Sequence, residues 1–302
     1  MIADRPIIGI LFMVGFCVFA PISDSAAKLI ANSTPMVVLL LARYLSQWLF
    51  TLPVVILTDR HITTSWTVMR IIILRSLVHI LGVAAMFGAY RFLPLADALA
   101  IAFVYPFIML LMGHFFLEEQ VGVRRLVGCT AGFLGTLLII QPSFAAVGFP
   151  ALLPLAVAFL FAFLVLLTRQ IAKDYDPVCL QSMSGLTSVL MILTLCVVTS
   201  GLDIADTKLM IPTANQFFVL VLVGIFGTAA HLSMTYAVRF APSATLAPMQ
   251  YIELPVATLA GWLVFHELPN GLAAIGITIT VAAGLAVIYF EHRAAAREKL
   301  TA

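Results

Sequence analysis

The chain has 302 residues, 63% of them hydrophobic and only 10% charged, with a formal net charge of +2. A soluble domain is nearer half apolar and a quarter charged, so too few charges are present to cover a water-facing surface. With a mean hydropathy of +1.12, this excludes most soluble enzymes and nucleic-acid binders and puts lipid against the surface.

A bilayer core needs about 20 helical residues to cross it, and runs of that length recur along the chain. The first, 7–30, follows Arg5 and carries Asp24 and Lys28 toward its far end. It exceeds the ~7–15 residues of a signal-peptide core, so it is expected to be a retained helix. The turn Asn32-Ser33-Thr34-Pro35 separates it from 36–57, which holds Arg43 and Gln47. The third run, 71–92, has a polar stripe at helical spacing: Arg75, His79, Gly82, Met86 and Tyr90. Only Arg91-Phe92-Leu93-Pro94 divides it from 95–117, but the undivided stretch is twice too long for one crossing. The fifth run is 121–140, with Gly128 and Gly132 spaced as a small-residue packing face. That face fits contact within the chain or a homodimer.

Gln141-Pro142-Ser143 opens an expected neutral connector over 141–150. Five more runs follow, at 151–171, 177–200, 215–238, 242–265 and 270–290, with Asp176-Pro177 and Pro269-Asn270-Gly271 among the breaks. Residues 291–302 form a short charged tail. Placing both termini in the cytoplasm puts Arg5, Arg60, Arg70, Arg124, Arg125, Arg169, Lys173, Arg239, Arg293, Arg297 and Lys299 on that side. Lys28, Arg91 and Lys208 fall opposite, a bias that fits the positive-inside rule for a multi-pass inner-membrane protein. Cys17, Cys129, Cys179 and Cys196 lie in or beside apolar runs without a CxxC pair, so they read as small hydrophobes.

The stretch Ala89-Tyr90-Arg91-Phe92-Leu93-Pro94 recurs 148 positions later as Ala237-Val238-Arg239-Phe240-Ala241-Pro242. Each copy leads into a run with a central proline, Pro106 or Pro255, that ends at Phe116-Leu117-Glu118 or Phe265-His266-Glu267. Residues 1–140 and 151–290 are therefore read as repeats of five spans. An odd number of crossings inverts the second repeat in the membrane.

At these residues the chain resembles the EamA-type branch of the drug/metabolite transporter superfamily. The pattern reads Tyr90-Arg91-Phe92-Leu93-Pro94-Leu95-Ala96-Asp97-Ala98 through Pro106 to Leu117-Glu118-Glu119, with a more diverged second copy carrying Ser243 and His266. The resemblance covers nearly the whole chain. It implies an all-α polytopic membrane protein of ten helices in two inverted repeats, with a central cavity and transport by alternating access. Family members move amino acids, vitamins, nucleotide-like metabolites and other small organic solutes.

An ionisable group inside a span costs roughly 2.5–3.5 kcal/mol on insertion scales, so each one asks for a reason. Glu253 lies near the middle of the ninth span, with Gln250 three residues earlier on its face and Tyr251 adjacent. It reads either as a cavity acid or as a neutral acid bonded to a neighbouring helix. Its first-repeat counterpart is Tyr105. Asp24 and Arg43 sit at similar depth, either as an internal ion pair or as contacts for a charged solute. Lys28 and Arg75 are expected to snorkel toward the membrane surfaces. His79 and His231, on similar polar stripes, are candidate cavity residues, with ordinary packing as the alternative. No two histidines have metal-ligand spacing, no Walker motif is present, and no cofactor is implied. The expected activity is secondary transport of a small polar or charged metabolite, with a coupling proton as a second ligand. A membrane-embedded enzyme would call for a compact catalytic constellation, and a lipid-handling protein would not need these groups at depth.

Overall fold

The computed structural model describes residues 5–60, 65–117 and 122–268, and, in the last span, 271–272, 274–283, 285–286 and 289. Glu118, Glu119, Pro269, Asn270, Gly284 and the tail 291–302 lie outside the described residues.

The fold is all-α. Its helices are α1 (Pro6–Ile30), α2 (Met36–Leu57), α3 (Trp66–Ala89), α4 (Leu95–Ala102), α5 (Tyr105–Leu117), α6 (Val123–Val147), α7 (Leu153–Ala172) and α8 (Pro177–Val198). They are followed by α9 (Ala214–Phe240), the short α10 (Ser243–Leu246), α11 (Glu253–Phe265) and α12 (Ala274–Ala283). Among the described residues seven helical stretches are long and apolar enough to cross a membrane, α4 and α5 taken together being one, and three shorter apolar helices stand beside them. Large apolar side chains such as Leu57, Phe115, Val197 and Phe217 stand outward, as lipid contact requires.

Local chemistry explains where the helices begin. Asp176 caps α8 by accepting from the amides of Val178 at 2.9 Å and Cys179 at 3.1 Å. Thr213 and Gln216 form a reciprocal capping box on α9, and Gln216 also reaches Ser33 O at 3.1 Å. The expected turn at Gln141-Pro142-Ser143 is corrected by the structure. Helix α6 runs through it to Val147, and the chain turns instead at Gly148, whose φ of +67° suits glycine.

The fourth and ninth spans are broken, where the sequence suggested continuous helices. Proline has no amide hydrogen to donate one turn back. The backbone loosens before Pro106, at Phe103–Val104, and a 3₁₀ segment over Ala247–Ile252 precedes Pro255. These breaks are repeat-equivalent, and so is the packing. Helix α1 lies mainly on α9 just as α3 lies on α7, and α2 packs on its counterpart α8. The α5–α7 contact is mirrored by α1–α11. Exchanging the halves leaves the arrangement unchanged, which is the signature of an inverted repeat.

Close approach depends on small residues. A Cβ on Gly185 would lie 2.9 Å from the Trp48 backbone nitrogen, where α2 and α8 cross. Gly132 packs on the Tyr251 ring and Gly135 against Thr280 and Gly276 O, so both are used within the chain.

Two expectations about charged side chains are overturned. Lys28 does not snorkel outward: Nζ meets Glu267 Oε2 at 2.6 Å and lies 4.6 Å from the centroid of Phe265. The same carboxylate oxygen accepts from Leu95 N at 3.3 Å, at the start of α4. Arg75 is fully buried, donating Nε to Thr168 Oγ1 at 2.8 Å and Nη1 to Ser184 Oγ at 2.7 Å. Those hydroxyls draw it into the junction of α3, α7 and α8. No carboxylate faces it among the described ion pairs.

Candidate functional site

Between the halves lies a cavity of about 80 Å³, lined from α1, α2, α3, α4, α5, α7, α9 and α11. Of the residues singled out from sequence, Asp24, Arg43, His79, Tyr105, His231 and Glu253 line it. Gln250 and Tyr251 do not. Gln250 is buried one turn before Glu253, with neither amide atom hydrogen-bonded. Tyr251 points the other way, toward Gly132, because adjacent residues on a helix face different directions.

The walls are aromatic. Phe161 of α7 sits 5.2 Å from Tyr105, 5.8 Å from Phe16 and 5.9 Å from His231, centroid to centroid. Phe103, at the break in the fourth span, continues the wall 5.6 Å from Tyr105. Nothing in the sequence distinguishes Phe16 or Phe161 from the other phenylalanines of an apolar chain. Only the packing of α1 and α7 around the cavity brings them in.

His79 and His231 meet across the cavity, Nε2 to Nε2 at 3.2 Å, linking α3 of the first repeat to α9 of the second. Tyr44 stacks edge-on against His79 at 5.2 Å. A chain of amides sets the backbone beneath His231. Gln47 Nε2 donates to Gln181 Oε1 at 2.8 Å, and Gln181 Nε2 donates to His231 O at 2.8 Å and Thr235 Oγ1 at 2.6 Å.

Arg43 donates Nη1 to Ser23 Oγ at 3.0 Å, and Ser23 in turn donates to Val223 O at 3.0 Å. No Asp24–Arg43 ion pair is among those of the described residues, so of the two sequence readings the direct pair is not formed. Gly227 leaves the space the Arg43 guanidinium occupies, since a Cβ there would overlap Nη1.

Three polar atoms on residues lining this cavity are buried without a hydrogen bond, Arg43 Nε, Tyr105 Oη and His231 Nδ1, and behind the lining Tyr44 Oη and both amide atoms of Gln250 are in the same state. Each such group costs about 1–3 kcal/mol in a folded protein. A concentration of them against aromatic walls is what a ligand site for a polar, flat molecule requires. Among the described residues no group of three His, Cys, Asp or Glu could hold a metal ion.

The description "EamA-like transporter family" matches residues 7–141 and 148–290. A riboflavin transporter of Rhizobium johnstonii is 30% identical over 213 residues, covering 70% of this chain and 68% of the relative. An S-adenosylmethionine uptake transporter of Rickettsia felis is 23% identical, covering 75% and 74%. One solved crystal structure matches with a TM-score of 0.68 at 16% identity, over 94% of this chain and 97% of the other, which bears on the fold alone.

Proposed function

The chain belongs to the EamA-like transporter family, and from that premise we propose that its substrate is a flavin-like heteroaromatic solute carried through the aromatic cavity. The carrier moves a small polar metabolite by alternating access between its inverted repeats. The observation that carries the flavin reading is the set of partnerless polar atoms on aromatic walls. A tricyclic flavin ring offers stacking faces to Phe16, Phe103 and Phe161. Its imide edge and hydroxylated side chain offer donors and acceptors to Glu253, Tyr105 and Arg43. The similarity to a riboflavin transporter supports the same class. At about 80 Å³ the cavity must widen to admit such a molecule, which the broken fourth and ninth spans permit.

A second reading has its own support. Asp24 and Glu253 face a cavity whose aromatic walls suit a cation, and relatives named as S-adenosylmethionine transporters share the fold region. Purified protein should quench riboflavin fluorescence on binding, and proteoliposomes should accumulate riboflavin. Thermal stabilisation by S-adenosylmethionine without any by riboflavin would favour the second reading and sink the first. The termini are placed on the arginine-rich, cytoplasmic face of the inner membrane, on the strength of the charge bias.

A further inference from the structure

We propose that His79 and His231 together form a proton-binding site bridging the two repeats, and that substrate entry displaces the proton held there. The displacement rests on the proposed transport of a flavin-like solute; the proton site itself does not.

The geometry sets the proton count. At an Nε2···Nε2 separation of 3.2 Å, one nitrogen carries the hydrogen and the other is bare. A further proton enters at the Nδ1 of the donor ring, and the Nδ1 of His231 is buried without a hydrogen-bond partner. The donor ring then donates from an imidazolium to a neutral partner, a charge-assisted bond stronger than the neutral one. A second extra proton would set N–H against N–H and break the contact. The closed pair therefore takes up one proton and no more.

Position makes this proton consequential. The third and eighth spans are repeat equivalents, and α3 and α9 do not pack broadly on each other. The histidine bond is thus a side-chain bridge across the cavity itself. Both rings line that cavity, their centroids 4.1 Å apart. A flat solute cannot enter between them without parting the bridge, so a proton that tightens the bridge opposes the solute. By linkage the solute must equally weaken proton binding.

Surrounding groups are of both signs. Around the pair stand Cys17 and Asp24 from α1, Arg43 and Tyr44 from α2, and Arg75 from α3. Tyr105 comes from α5 and Glu253 from α11. The two guanidiniums oppose a proton on the pair and the two carboxylates favour it. Gln181 from α8 and Phe161 from α7 add no charge.

The experiment uses the full chain in detergent with ¹⁵N-labelled histidine. Only six histidines are present, and His79→Gln and His231→Gln assign the pair. Between about pH 5 and 9, the two rings should share one titration step worth one proton. In either variant the remaining ring should titrate alone, its glutamine neighbour keeping a hydrogen bond. Two rings each gaining a proton independently, or neither gaining one, would overturn the proton site, and this is read from wild-type protein whether or not the variants fold. Riboflavin is then added in weak buffer with a pH dye. Release of about one proton per riboflavin bound, and binding that weakens up to about tenfold per pH unit on the acid side, are expected in wild type and absent in both variants. Binding without proton release would overturn the displacement. Absence of riboflavin binding at every pH would overturn the substrate reading and leave the titration to decide the site.

Discussion

Arg91 and Arg239 make the same bond at opposite ends of the molecule. Arg91 Nε donates to Ala31 O at 3.0 Å, just past the end of α1, and Arg239 Nη1 donates to Tyr175 O at 3.2 Å, just past the end of α7. Each arginine lies just before a broken span and donates to a carbonyl past the end of the first helix of its own repeat. Two helix termini are thus satisfied by one recurring sequence element. Past that shared bond the ends differ, because Arg91 also grips Asp206 through both oxygens, at 2.8 and 2.7 Å.

The Arg91–Asp206 pair should make stability sensitive to acid. The bidentate guanidinium holds Asp206 below the usual carboxylate range. With its folded pKa depressed, the carboxylate stabilises the fold above the unfolded value near ~4. That contribution is lost as pH falls through the folded value. The pair is partly exposed, with side chains 23% and 47% accessible, so about 0.5–1 kcal/mol is expected after solvent screening. Asp206→Asn should lower the unfolding midpoint modestly at pH 7 and flatten its slope between about pH 5 and 3. A midpoint equal to wild type at pH 7, with an unchanged acid slope, would show that the pair contributes nothing.

Orientation is open to a direct test. Reporter fusions after Gly148 and in the tail at Ala302 should report opposite sides, with the tail in the cytoplasm. The first site is chosen because α6 runs through Pro142, and a fusion within that helix would disturb the span it is meant to report. Both reporters on one side would contradict five crossings per repeat.

Gly227 should behave as a steric control on Arg43. A Cβ at Gly227 meets chiefly the end of a flexible side chain, 2.8 Å from Arg43 Cζ and closer to Nη1, with Ser23 Oγ next at 3.2 Å. Gly227→Ala should therefore fold but push the guanidinium away from Ser23. Losing a charged hydrogen bond of ~1.5–3 kcal/mol predicts at least about tenfold weaker solute binding. Gly224→Ala, which instead meets Ser46 and Ala42 O on the same helix pair, should disturb packing with a smaller effect on binding. Equal effects from the two substitutions would mean that Arg43 position is irrelevant to the site.

Much of this architecture is legible before any coordinates, because lipid forces long apolar helices and the repeat is written in Arg91-Phe92-Leu93-Pro94 and its later copy. Depth along a span is legible too, which is why Glu253, Arg43 and Asp24 stand out. Contacts between distant spans are not. Helical periodicity gives the face on which His79 lies, but not that α9 presents His231 to it across the cavity. Lys28 looked free to snorkel because Glu267, far along the chain, is brought beside it only by the fold. Arg75 looked the same, since its partners Thr168 and Ser184 are ordinary hydroxyls in ordinary helices. Helix α6 continued past Gln141-Pro142-Ser143 because a proline inside a span can be accommodated where neighbouring helices support it.

Glu253 should prove a direct ligand of the solute and not the seat of the coupling proton. It is 4% exposed, lines the cavity at the start of α11, and follows the 3₁₀ segment that carries Gln250. A carboxylate there accepts hydrogen bonds from a solute imide or hydroxyl, each charged bond contributing about 1.5–3 kcal/mol. Glu253→Gln replaces one acceptor oxygen by a donor and removes the charge. Binding of riboflavin should weaken by roughly 10- to 100-fold at every pH, with the curve of affinity against pH keeping its shape. A proton site at Glu253 makes the opposite forecast: the substitution would flatten the pH dependence and leave binding largely intact. A purely structural acid would lower the yield of folded protein while transport per folded molecule stayed normal. Uptake in proteoliposomes against pH, normalised to folded protein and paired with a binding titration, separates the three. Proton release on binding should survive in Glu253→Gln and vanish in His231→Gln, and the reverse result would move the coupling proton from the histidine bridge to the acid.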